Sequence, residues 1–183
     1  MDDPVLLSQI WVRLALGTDL PALEWDGEFI HFRRLYADVY QNFVAGKALM
    51  WIVELAGEGV IGQAFVSLGS GRPELSNGID RAYIYGFRVK PAYRNRGIGA
   101  AVLRTIEEDL AIRGFWRVTL NVARDNLLAQ RLYQRLGYRV VAEEAGKWSY
   151  FDHLGRHQEV HEPAWRMEKV LKIFESFQIP CIL

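Results

Sequence analysis

Hydrophobic and polar positions change their period several times along this chain. Between positions 98 and 113, Ile98, Val102, Ile106 and Leu110 fall on one stripe with Leu103 beside it, while Arg104, Glu107 and Glu108 fall off it. That is the period of an amphipathic helix, and Gly114 supplies its stop. A second helical pattern fills 127–136, between a cap at Asp125 or Asn126 and a stop at Gly137. A third spans 28–44 and ends near Gly46, after a shorter one that carries Pro21 early and follows the Gly17-Thr18-Asp19 turn. Positions 10–16, 50–55, 60–68, 82–89, 117–122, 138–143 and 165–171 instead alternate, or run apolar throughout, as strands do. The last of them is expected to close the sheet. Gly57-Glu58-Gly59 joins two of these runs as a hairpin, and 148–151 with 158–161 form another around the turn at 152–155. Positions 69–81, rich in Gly, Ser, Asn and Pro, read as a loop, and 173–183 receive no assignment. The order β-α-α-β-β-β-α-β-α-β-β implies an α+β, mixed α/β architecture with a mixed sheet.

Composition narrows the classes. The chain has 183 residues, half of them hydrophobic, with 6 Trp, 8 Tyr and 9 Phe. That suits a single domain over 1–183 with a real core. The 22 basic residues balance the 22 acidic ones. Such a balance gives no general attraction to nucleic acid or a membrane surface. Cys181 is the only cysteine, so an intramolecular disulfide and a cysteine-based zinc site are excluded. No secretory leader or membrane span is legible near the N-terminus, and a cytoplasmic location is the default expectation.

The chemistry concentrates at Arg94-Asn95-Arg96-Gly97-Ile98-Gly99-Ala100, where a strand pattern passes into a helix. The first amides of a helix have no partner within it, and the dipole adds positive charge there. With two arginines beside it, such a turn suits a pyrophosphate. A P-loop needs Gly-Lys-Ser/Thr at the end of the turn, and none follows Gly97. A dinucleotide-binding turn needs a small residue where Val102 stands and an acid at the end of the next strand, which reads Leu120-Asn121-Val122.

Arg94-Asn95-Arg96-Gly97-Ile98-Gly99 resembles the Arg/Gln-x-x-Gly-x-Gly/Ala motif of the GCN5-related N-acetyltransferases (GNAT), which bind acetyl-coenzyme A. The lead-in from Gly86 to Tyr93 is similar to that family's fourth strand and its exit. A second stretch, Asn126-Leu127-Leu128-Ala129-Gln130-Arg131-Leu132-Tyr133 and on to Gly137-Tyr138, resembles the family's Asn-x-x-Ala-x-x-x-Tyr-x-x-x-Gly-Phe/Tyr segment. The resemblance is carried by 82–141 and extends by strand order over 10–68 and 165–171; the C-terminal hairpin and tail occupy 145–183. It implies a mostly antiparallel sheet flanked by helices and splayed between strands 4 and 5.

The same resemblance implies roles. Backbone amides from Arg96 to Ala100 would hold the pyrophosphate, with charge-assisted help from Arg94 and Arg96 and with Asn95 in the same turn. Backbone groups of Phe87, Arg88 and Val89 would pair with the pantetheine arm as a substitute strand, and Gly86 suits a bulge there. Tyr133 stands where the family's general acid to the sulfur stands, although its helical face also allows a core role. Asn126 would contact the cofactor arm or cap its helix. Several family members carry a glutamate base where this chain has Tyr83. Asp80, Glu74, and Tyr83 or Tyr85 acting through water are the replacement candidates, each carboxylate also readable as a solvated loop residue.

The resulting expectation is an acetyl-CoA-dependent N-acetyltransferase acting by direct attack in a ternary complex. Its acceptor is an amine-bearing small molecule or peptide, held among 24–40, 69–81 and the late hairpin, where Glu24, Asp26, Glu28, Asp38, Glu74 and Asp80 would suit a cation. No metal is expected: His153, His157 and His161 are four apart, but hairpin geometry would not converge them. A homodimer is compatible with the sequence. The rival readings are a catalytically silent acyl-CoA-binding or sensing module, and a nucleotide-dependent oxidoreductase that Val102 and the missing acid disfavour.

Overall fold

The computed structural model describes residues 3–171. A short helix α1 (Pro4–Leu7) precedes β1 (Ile10–Leu14), and two 3-10 segments, Gly17–Glu24 and Ile30–Phe32, lead into α2 (Arg33–Val44). Then follow β2 (Ala48–Leu55), β3 (Gly59–Ser67), β4 (Arg81–Val89), α3 (Ile98–Ile112), β5 (Arg117–Ala123) and α4 (Leu127–Arg135). The chain continues through β6 (Arg139–Glu144), β7 (Lys147–Phe151), β8 (His157–His161) and β9 (Ala164–Val170). Seven strands form one sheet in the order β1-β2-β3-β4-β5-β9-β6, and β7 pairs with β8 in a separate ribbon. All main-sheet pairs are antiparallel except β4 with β5.

Helices cover both faces, which is why β2 is apolar along nearly its whole length. Its side chains alternate between two clusters. Leu49, Trp51 and Val53 join the core under α3 and α4; Met50 and Ile52 join the core under α2. The stripe Ile98, Val102, Ile106 and Leu110 is buried in the first cluster, at roughly 1.5–3 kcal/mol for each side chain removed from water.

Three expectations change in detail. The helix expected over 28–44 begins only at Arg33, because Gly27 turns the chain in the left-handed region and Ile30–Phe32 winds as a 3-10 turn. A 3-10 turn eclipses positions three apart, so the Phe29 and Phe32 rings lie nearly parallel, 6.2 Å between centroids. The last strand does not close the sheet: β9 inserts between β5 and β6, leaving β6 at the edge. The loop before β4 is anchored rather than free, with Leu75 and Ser76 buried and the Thr119 hydroxyl donating to the Leu75 carbonyl at 2.6 Å. Residues 173–183, Cys181 among them, lie outside the described residues.

The sheet opens at its middle. β4 and β5 pair only from Arg81↔Arg117 to Ile84↔Leu120. Beyond that rung, Tyr85–Val89 has β3 on one side and no strand on the other.

Candidate active site

The opening coincides with a bulge. Three steps of β4, from Tyr85 to Arg88, face two steps of β3, from Phe65 to Gln63. Gly86 sits in it with φ +59°, and a Cβ there would stand 2.5 Å from the Phe65 ring. Glycine is thus required twice, by backbone conformation and by contact. Past the bulge, Phe87 packs with the α3 cluster and reaches toward Gly99, while Arg88 points to the α2 face.

At the end of β4 the chain turns through Asn95 (φ +61°) and Gly97 (φ +90°) into α3. Among the described residues, no oxygen accepts from the amides of Asn95, Arg96, Gly97, Ile98 or Gly99; the first engaged amide is that of Ala100, which donates to the Gly97 carbonyl at 3.0 Å. Five successive free amides at the positive end of a fifteen-residue helix form an anion cradle. Within this stretch the Ala100 amide is therefore not a free donor. Arg94 is splinted: its Nε donates to the Val89 carbonyl at 2.7 Å, which leaves that carbonyl less available to a ligand strand. Arg96 and Asn95 are exposed, and the Arg96 carbonyl accepts from the Asp3 amide. The Asn126 side chain accepts from the Ala129 amide at 3.1 Å, so it caps α4.

Three tyrosines gather at the opening. Tyr83 and Tyr85 stack with centroids 5.5 Å apart and planes 7° off parallel. Tyr133, on α4, is buried, meets Tyr138 edge-on at 5.9 Å, and gives its hydroxyl proton to no described residue. Burial pushes the Tyr133 phenol up to about 12, with Tyr83 adding a smaller push. Burial also raises Tyr83 to about 12, with Glu144 adding to it, and Tyr85 to about 12. All three are therefore protonated at neutral pH, able to donate and poor as bases.

The carboxylate candidates are held elsewhere. Glu74 accepts from Arg72 Nε at 2.7 Å, and hydrogen bonding to its own backbone amide and to Arg72 holds its carboxyl below the ordinary range. Asp80 accepts from Asn77 at 2.6 Å, and its carbonyl takes the Trp116 and Arg117 amides, just before β4 begins and far from the bulge. Of the other acids expected around the acceptor, Asp26, Glu28 and Asp38 are exposed, and Glu24 holds Arg33 with both oxygens.

Sequence reading missed two groups. Glu144 at the end of β6 is buried between Arg72 (2.9 Å) and Arg166 (3.1 Å), and its charge reaches Tyr83. Asn121, one step past the last β4–β5 rung, carries a buried Oδ1 with no partner among the described residues. Their only signals were an acid at a strand end and an amide inside an apolar strand, neither distinctive without the β6–β9 and β5–β9 pairings.

Comparison with known proteins agrees with this geometry. The model of the acetyltransferase (GNAT) family matches residues 18–138. The chain belongs to that family. A curated relative, the chloroplastic GCN5-related N-acetyltransferase 6 of Arabidopsis thaliana, is 34% identical over 96 residues, a stretch that is 52% of this chain and 31% of that protein. The ribosomal-protein-S18-alanine N-acetyltransferase of Escherichia coli superposes with a TM-score of 0.67 at 20% identity, over 89% of this chain and 94% of its own. The spermidine N-acetyltransferase of Vibrio cholerae, solved with CoA and spermine, gives 0.64 at 18% identity, over 90% and 96%.

Proposed function

We propose that this chain transfers an acetyl group from acetyl-CoA to a primary amine by direct attack within a ternary complex. The observation that carries the reading is the pairing of five free amides, from Asn95 to Gly99, with an unpaired β4 edge leading to them. The amides and Arg96 take the pyrophosphate; the edge at Phe87 and Arg88 takes the amides of the pantetheine arm. That places the thioester where β4 and β5 part, beside Tyr83, Tyr85 and Tyr133. The amine nitrogen bonds to the thioester carbonyl carbon, the C–S bond breaks, and Tyr133 donates a hydrogen bond or its proton to the departing sulfur. Among the described residues no carboxylate stands free at the opening, so the amine arrives neutral or loses a proton to water beside Tyr83, and the further proton that nitrogen sheds as the C–N bond forms passes to the same water, with Asn121 Oδ1 as an acceptor for its N–H.

The bound side chains of Glu74, Asp80 and Glu144 favour one second reading, a module that binds acyl-CoA without turnover. Thiol release from acetyl-CoA across a panel of amines separates the two. Amine-dependent release that collapses in Tyr133→Phe supports catalysis; tight acetyl-CoA binding with no release supports the silent module. The described residues contain no helix long and apolar enough to cross a membrane. We keep the cytoplasm as the working compartment; the Arabidopsis relative is chloroplastic, and imaging of the tagged full chain decides.

A further inference from the structure

The α2 face of the opening carries a cation without a carboxylate. The Arg88 guanidinium lies 4.3 Å from the Phe29 ring centroid and 4.7 Å from that of Phe32. One Nη1 proton goes to the Tyr36 hydroxyl at 3.1 Å. A guanidinium has five N–H donors, and no other acceptor among the described residues takes one from Arg88. Across the ladder Arg88 faces Gln63, which is neutral, fully buried, and unpaired at both amide atoms. Cross-strand partners share a face, so two polar side chains without sufficient partners stand together there. The acids nearest this face are spent: Glu24 on Arg33, and Asp152 on the Leu154 and Arg156 amides and the Gln158 side chain.

A half-buried cation walled by rings has lost water, and the cation–π attraction it gains leaves most of its N–H donors without an acceptor. An anion repays that loss, and a carboxylate matches the planar fork. The coenzyme's phosphates are a poor source for it. Their cradle begins α3, on the face toward which Phe87 points, whereas Arg88 points to the other. We infer that Arg88 holds a carboxylate of the acceptor, so that the molecule acetylated is an amino acid or short peptide with a free carboxylate rather than a polyamine. This rests on the acetyl-transfer reading above and refines its acceptor. A polyamine would meet the guanidinium as like charge.

The test uses matched acceptors on the full chain: amino acids and dipeptides, their carboxamides, and spermidine, followed by thiol release from acetyl-CoA. The acids are expected to exceed their carboxamides by about 10- to 100-fold in kcat/KM, carried by acceptor KM, as for a lost hydrogen-bonded charge. Arg88→Gln is expected to erase that preference with acetyl-CoA KM unchanged, and Arg88→Lys to restore part of it. Equal turnover of acids and carboxamides, or a preference for spermidine, overturns the inference and leaves acetyl transfer standing. A rise in acetyl-CoA KM alone in Arg88→Gln assigns the residue to the coenzyme and also overturns it. No thiol release with any amine overturns the acetyl-transfer reading and this inference together. The wild-type comparison needs no variant, so misfolding of Arg88→Gln does not shield the claim.

Discussion

The two faces of β4 offer different means of recognition. On the α3 face the groups on offer are main chain: consecutive amides from Asn95 to Gly99, shaped by glycine and left-handed turns, with a helix behind them. On the α2 face they are side chains: Arg88 from β4, Gln63 from β3, Phe29 and Phe32 at the start and end of a 3-10 turn, and Tyr150 of the separate ribbon, its ring centroid 4.8 Å from that of Phe32. Main-chain recognition suits a ligand part that never varies, since any side chain that preserves the turn preserves the donors. Side-chain recognition suits the variable partner, because one substitution rewrites it.

The sharpest break of the main-chain grip is Gly99→Glu. A Cβ there already meets Leu132 at 3.0 Å, and the added carboxylate would face the phosphates. Acetyl-CoA affinity should fall at least about 100-fold by calorimetry, with only a small drop in the unliganded melt from the Leu132 contact; undiminished affinity would remove the turn from the site. Tyr133→Phe should lower kcat by about 100-fold, with acetyl-CoA KM nearly unchanged; equal kcat would leave Tyr133 a core residue. Gly86→Val tests the bulge between the faces. Left-handed backbone and the Phe65 contact together should cost roughly 2–4 kcal/mol, read as a lower denaturation midpoint with unchanged slope.

The tyrosines add a pH signature. Their folded values of about 12 lie above the ordinary phenol value of 10. The unfolded chain therefore loses these protons first as pH rises. The stability they contribute is whole below pH 10 and drains between 10 and 12; a melting temperature that rises over that window contradicts the burial of these phenols. The smallest expected effects belong to Glu74→Gln and Asp80→Asn, whose carboxylates already serve Arg72 and Asn77. Their kcat changes should stay far below the roughly 100-fold loss of a general base, and a loss of that size in either would return it to the mechanism.

Legibility in the sequence follows the same division. The α3 stripe and the Arg94-to-Ala100 turn could be read because everything that forms them is contiguous. The glycines, the helix start and the free amides lie within about two turns of chain. The bulge at Gly86 was visible for the same reason. The start of α2 was not, because Ile30–Phe32 tightens in answer to ring packing that involves Arg88 and Tyr150. Glu144 and Asn121 were missed because their importance depends on which strands β9 separates and joins.

The sequence alone determined the local pieces: which segments are helix or strand, and where a turn presents unpaired amides. Those depend on period, glycine and neighbours a few residues apart. Only the tertiary structure decided what stands on the α2 face. Insertion of β9, splaying of β4 from β5, and packing of Phe29 and Phe32 over Arg88 bring together groups far apart in the chain. Whether a charge there is paired or left over is settled by long-range contacts, and no local pattern encodes them.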